Sequence, residues 1–153
     1  MIIEEKFLTT FYILKHKFYI FVYMLKVIWT IFKRGIKHDN SKFSPVELHY
    51  NNIIREKIGK IKFGTKEHYD LLGFIAPGKN AHFLVNSHHI EYYKGNIKRM
   101  SPLDLIELLC DWKATTKCNN GNLDCSLKIN KKKYEINNRL LNCLKRDIKE
   151  IGL

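Results

Sequence analysis

Residues 5–33 read as one long helix, apolar around most of its circumference, and a fold has to cover such a segment. Its densest part is FYIFVYMLKVIWTIF at 18–32. A bilayer span needs roughly 20 apolar residues. This run is shorter, is interrupted by Lys26 and follows Lys15, His16 and Lys17. No small-residue cleavage site follows, so the pattern is not that of a signal peptide. The expectation is a buried helix, stopped at Gly35, in a protein with no membrane span. The aromatic helix also offers a dimer face if its own chain covers it incompletely.

Local signals place the remaining elements. Segment 36–43 reads as a short helical turn. Ser44-Pro45-Val46-Glu47 supplies an N-cap, a proline at the first helical position and a capping-box acid, predicting a helix from Pro45 to about Lys57. Residues 58–79 are the least regular, with Gly59, Gly64, Gly73 and a Pro77-Gly78 turn around a short helix near Lys66–Leu72. Helical spacing resumes from Asn80 to Tyr93. Ser101-Pro102 with Asp104 starts a buried helix carrying LDLIELLCDWKA, Asn119–Asp124 is a loop, and an amphipathic helix closes the chain near Lys132–Ile151. No strand pattern and no internal repeat occurs. The fold class is therefore all-α: a single helical domain over 1–153, with its core in 5–115 and a basic C-terminal segment at 128–153. A chain of 153 residues can bury such a core without staples. Cys110, Cys118, Cys125 and Cys143 form no CxxC and no zinc-finger spacing, and read as reduced thiols of a cytosolic protein.

The net charge of +12 favours anionic partners: phosphates, nucleotides, nucleic acid or an acidic surface. Against that background the pair His38-Asp39, with Lys42 following, carries the chemistry. An adjacent imidazole and carboxylate can serve one metal. His82 and His89 are seven apart and would align on a helix, with His88 beside them and Glu91 three beyond it. Asp111 sits among apolar residues in LIELLCDW, where a lone carboxylate is costly without a cation. His16 lies between Leu14 and Phe18 on the apolar helix. Each residue has a plainer reading: a hydrogen-bonded core histidine, an Asp111 paired with Lys113 or Arg99, an HH pair on an ordinary surface. The ordered set H, HD, H, HH, D points to a metal site.

That order resembles the HD-domain superfamily of metal-dependent phosphohydrolases, with its H…HD…D signature on a helical bundle. His38-Asp39-Asn40-Ser41-Lys42 is similar to the HDxxK of that superfamily, and His82…His88-His89-Ile90-Glu91 to the H…HHxE of its cyclic-dinucleotide-hydrolysing branch, without that branch's GYP element. A nearer resemblance is to an uncharacterised family of small phage and bacterial proteins that share HK, HDxSKFSPxE, NxHHxEY and LIEML-DW. Here these read His16-Lys17, HDNSKFSPVE, NSHHIEY and LIELLCDW, over about residues 10–115.

The resemblance implies an HD-like helical fold in which His16, His38 and Asp111 hold one metal and Asp39 bridges to a second. His82, His88 and His89 would complete the second site, or face substrate in a one-metal enzyme. Lys42 would contact substrate phosphate, and Glu91 or His88 would protonate the leaving oxygen. The ligand types suit Mn, Fe, Co, Ni or Zn, as one or two ions. The implied activity is hydrolysis of a phosphoester in a nucleotide or cyclic nucleotide, in the cytoplasm (the host's, if viral). Two other classes stay open. One is an HD-fold di-iron oxygenase. The other is a basic module for nucleic acid or an acidic partner, built on Lys128, Lys131, Lys132, Lys133, Lys145, Arg146 and Lys149 around a vestigial site. GxSxG, GxxxxGK[ST] and GxGxxG are absent, which argues against serine-hydrolase, P-loop and Rossmann chemistry.

Overall fold

The computed structural model describes residues 2–57, 60–61 and 65–153, with side chains from Phe7 onward. The expected breaks at Gly59 and Gly64 lie outside the described residues. The chain divides into two compact units, Met1–His38 and Asp39–Leu153.

The first unit is helix α1, Ile2–Lys37. It runs past Gly35, where a side chain would meet nothing within 4 Å; glycine in an open helix interior costs only about 1 kcal/mol. Arg34 and Lys37 in the last turn complement the helix dipole. The burial expected of α1 is not seen in its described side chains. Phe11, Phe18, Phe21 and Trp29 are each more than half exposed. No helix among the described residues is long and apolar enough to cross a membrane.

The second unit holds α2 (Pro45–Lys57), α3 (Lys66–Val85), α4 (Pro102–Cys118), α5 (Leu123–Lys133) and α6 (Asn138–Glu150). Single 3₁₀ turns lie at Asn40–Phe43, Ile90–Tyr93 and Ile97–Arg99. No strand occurs among the described residues, and the fold is all-α. α2 has the expected bounds, its Glu47 amide donating to Ser44 Oγ at 3.3 Å.

The region expected to be irregular is instead mostly one helix. α3 starts at the Thr65 cap and continues through Pro77-Gly78. The glycine serves packing rather than a turn: a Cβ on Gly78 would lie 2.5 Å from Tyr50 Cδ2, so the Tyr50 ring of α2 lies directly on the α3 backbone here. The helix expected over 80–93 ends at Val85. Beyond it the chain folds back through two 3₁₀ turns and buries Ile90, Ile97 and Met100 against Leu108 and Leu109 of α4 and Leu144 of α6.

The closing helix is also divided. Glu135 takes a left-handed φ of 51°, and Ile136 turns into the core at 2% exposure before Asn137 caps α6. Tyr134, at this break, donates to Glu91 Oε1 at 2.5 Å, and Lys133 Nζ reaches the same oxygen at 2.9 Å. Burial alone would raise the Glu91 carboxyl, but these two donors outweigh it and hold it below its ordinary value. Burial, then the Glu91 bond, pushes Tyr134 up to about 12. Tyr134→Phe is expected to cost about 1.5 kcal/mol, the scale of a hydrogen bond to a charged group. Because Glu91 is depressed in the folded state, its stabilisation is complete above the unfolded carboxyl value and fades as pH falls through the folded one. Urea melts should therefore show the Tyr134→Phe deficit at neutral pH and a smaller deficit in acid.

Candidate metal centre

The cluster begins at Asp39, the first residue of the second unit. Its φ of 56° and ψ of 20° are left-handed, a conformation that Asp and Asn tolerate better than other side chains. The Asp39 carbonyl accepts the Lys42 amide at 2.9 Å, and the carboxylate Oδ2 pairs with Lys42 Nζ at 2.5 Å. The other oxygen, Oδ1, lies 3.3 Å from His82 Nε2 and 3.2 Å from His88 Nε2. His82 is near the end of α3; His88 and His89 sit in the return that follows. His82 Nε2 and His89 Nε2 are 2.8 Å apart. Asp39, His82, His88 and His89 thus each offer a donor atom within 4.8 Å of the others.

The carboxylates behind the histidines bear on what this arrangement can hold. His82 Nδ1 lies 2.8 Å from Glu47 Oε2, and His88 Nδ1 3.2 Å from Glu107 Oε1. Both histidines are buried, at 7% and 2% exposure, as is Glu47 at 4%. A carboxylate only accepts, so it draws the imidazole proton to Nδ1 and leaves Nε2 as a lone pair. Both lone pairs then face a carboxylate oxygen. Such a convergence is repulsive unless a cation, whether an added proton or a metal ion, lies among the three atoms. Carboxylate–histidine pairs of this kind orient ligands in metal sites and raise their basicity. Burial, then His88 and His82, pushes His89 down to about 4, so it is neutral near pH 7, the form that ligates. The donor set therefore fits a divalent transition ion.

Glu47 and Glu107 were not singled out in the sequence as site residues. Glu47 reads there as a capping acid; nothing local predicts that its carboxylate reaches a histidine 35 residues on. Ser41 and Asn86 were missed too. Asn86 Nδ2 donates to Ser41 Oγ at 2.7 Å and to the His82 carbonyl at 2.8 Å, tying the Asn40–Phe43 turn to the end of α3. Glu47→Gln and Glu107→Gln are each expected to weaken metal binding on the order of 10–100-fold, measured by competition with a chromogenic chelator.

The other predicted residues are placed as follows. His16 and His38 belong to the first unit: His16 is exposed and stacked on Tyr12, and His38 is half-buried, its amide donating to Gly35 O at 3.4 Å. Asp111 is half-buried on α4 and acts electrostatically on His89. Glu91 is engaged with Tyr134 and Lys133 rather than with the donor atoms of the cluster. A cleft of about 290 Å³ opens beside the cluster. Lys42, Lys79, His82, His89 and Asp111 line its polar side, and Tyr50, Ile54, Ile75 and Phe83 contribute apolar walls. Several C-terminal lysines are engaged within the fold: Lys131 with Asn138, Lys133 with Glu91 and Lys145 with Asp124.

Residues 5–151 match the sequence profile of DUF5662, a family of unknown function. The chain belongs to DUF5662. No curated protein and no solved structure matches it. The DUF5662 match includes all four residues of the cluster and both carboxylates behind it.

Proposed function

We propose that this DUF5662 chain is a metal-dependent phosphoric ester hydrolase of the HD type, acting on a nucleotide-like phosphoester. The observation that carries the proposal is the convergence of two carboxylate-oriented imidazoles on Asp39 Oδ1, beside a cleft that His82, His89 and two lysines line. Asp39, His82, His88 and His89 would hold the ion, and the ordered H…HD…D resemblance adds His16, His38 and Asp111. When bound, a Mn, Fe, Co, Ni or Zn ion supplies Lewis acidity toward water and a phosphoryl oxygen. Lys42 and Lys79 offer two point charges to the phosphate, matching the sign of the +12 chain. Tyr50 and Phe83 give the non-phosphate part of the substrate an apolar wall. The cleft lies at the small end of the ligand-site range, favouring a mononucleotide-sized molecule over a strand.

The test is metal analysis of freshly purified protein, followed by a hydrolysis screen over mono-, di- and cyclic nucleotides with each divalent ion. Chelation should abolish phosphate release and re-addition should restore it. Protein that takes up no metal and releases no phosphate overturns the proposal. Iron-dependent oxygen consumption without phosphate release would replace it with the oxygenase reading.

A further inference from the structure

We infer that α1 pairs with α1 of a second copy of this chain along a heptad seam. From Phe7 to Phe32, steps of alternately four and three residues land only on large apolar side chains: Phe11, Leu14, Phe18, Phe21, Leu25 and Ile28 lie between. Apolar residues sustained at this spacing for more than three heptads mark the a and d positions of a coiled coil. Each seam residue is between 47% and 71% exposed.

The size of the exposed surface decides that something covers it. At roughly 200 Å² per aromatic side chain, the five seam phenylalanines alone expose on the order of 600 Å². That matches the largest apolar patch an ordinary monomer carries, at about 300–600 Å², before the aliphatic seam residues are added. With them the seam approaches the roughly 800 Å² per partner of a standard interface.

The same residues select the occupant. A helix lying on a membrane needs a polar face opposite its apolar one. Here Tyr12, Ile13, Ile20, Tyr23 and Val27 expose apolar surface away from the seam, and α1 has no segment apolar enough to span. The helix carries no carboxylate from Phe7 to Lys37, and like charges oppose self-pairing. Only Lys15 and Lys17 border the seam, however; Lys26, Lys33, Arg34 and Lys37 fall on positions away from it. A partner helix needs the same unbroken seven-residue register, and α1 of a second copy supplies it. The seam stands independently of the metal centre and its chemistry.

Light scattering coupled to size exclusion tests this on the full chain. The wild type is expected at a multiple of the 18.2 kDa chain mass at micromolar concentration. Phe18→Asp/Phe21→Asp should shift it to monomer, while Phe18→Leu/Phe21→Leu and the off-seam Tyr12→Asp/Tyr19→Asp should remain associated. In case the aspartate pair fails to fold, lysine crosslinking of mixed isotope-labelled and unlabelled wild-type chains gives a separate readout. Links between copies should join Lys15, Lys17 or Lys26 of one α1 to the same set in the other. A monomeric wild type, an assembly that survives the folded aspartate pair, or crosslinks between copies confined to the second unit overturns the inference. So does a monomer that floats with phosphatidylcholine–phosphatidylserine vesicles, which would assign the face to lipid.

Discussion

Asp39→Asn protein is expected to purify folded but with its metal content lost and phosphoester hydrolysis reduced on the order of 10²–10³-fold, the scale of deleting one electrostatic element of an active site. Asparagine is the informative replacement because position 39 has a left-handed backbone, which Asn tolerates and Ala resists. The substitution thus removes charge without adding backbone strain. Its stability cost should be small: the Lys42 partner is 47% exposed, and such pairs contribute about 0–1 kcal/mol. Without metal, the substitution should relieve some repulsion, since one of three converging acceptors becomes neutral. Elemental analysis beside a thermal melt separates the two effects. Retention of full metal and full hydrolysis by a folded Asp39→Asn protein would falsify the assigned role of Asp39.

The elements that were legible in the sequence are those whose causes are local. Ser44 and Pro45 mark the start of α2 without help from the rest of the chain, and the structure places that helix at Pro45–Lys57 as expected. Ser101, Pro102 and Asp104 do the same for α4, down to a reciprocal capping box. Pro77-Gly78 misleads because its cause is distant: Tyr50, on another helix, needs the space that a side chain at 78 would fill. Because α3 is continuous there, Lys79 shares a helix with His82 and lines the same cleft. His82 and His89 do meet, but not as neighbours along one helix. The chain leaves the helix after Val85 and returns, and the nitrogens meet across that return. Helical spacing aligns these two residues, but the structure joins them across a return instead. The two carboxylates that orient His82 and His88 come from α2 and α4, and no local pattern marks such long-range partners.

The return that carries His88 and His89 is tied at both ends to one buried carboxylate, and Asp104→Ala is expected to loosen it. Asp104, 4% exposed, accepts from Ser87 Oγ at 2.7 Å and Tyr93 Oη at 2.7 Å, which bracket the two histidines. It also accepts from Ser101 Oγ at 2.6 Å while capping α4. Alanine removes the acceptor from the half-buried Ser87 and Tyr93 hydroxyls, from the exposed Ser101 hydroxyl, and half of the capping box. Lost caps cost about 1 kcal/mol and lost bonds to a charged group about 1.5–3 kcal/mol each, with overlap among them. A total of about 3–5 kcal/mol is expected, a large share of the roughly 5–15 kcal/mol that folded domains possess. Because Ser87 adjoins His88, the loss should be local before it is global. Hydrogen exchange should rise first over residues 86–100, and metal affinity should fall even where the helices persist. Asp104→Asn retains one acceptor oxygen and should fall between the two. If Asp104→Ala melts with the wild type and binds metal as tightly, the return is held by its apolar residues Ile90, Ile97 and Met100 instead.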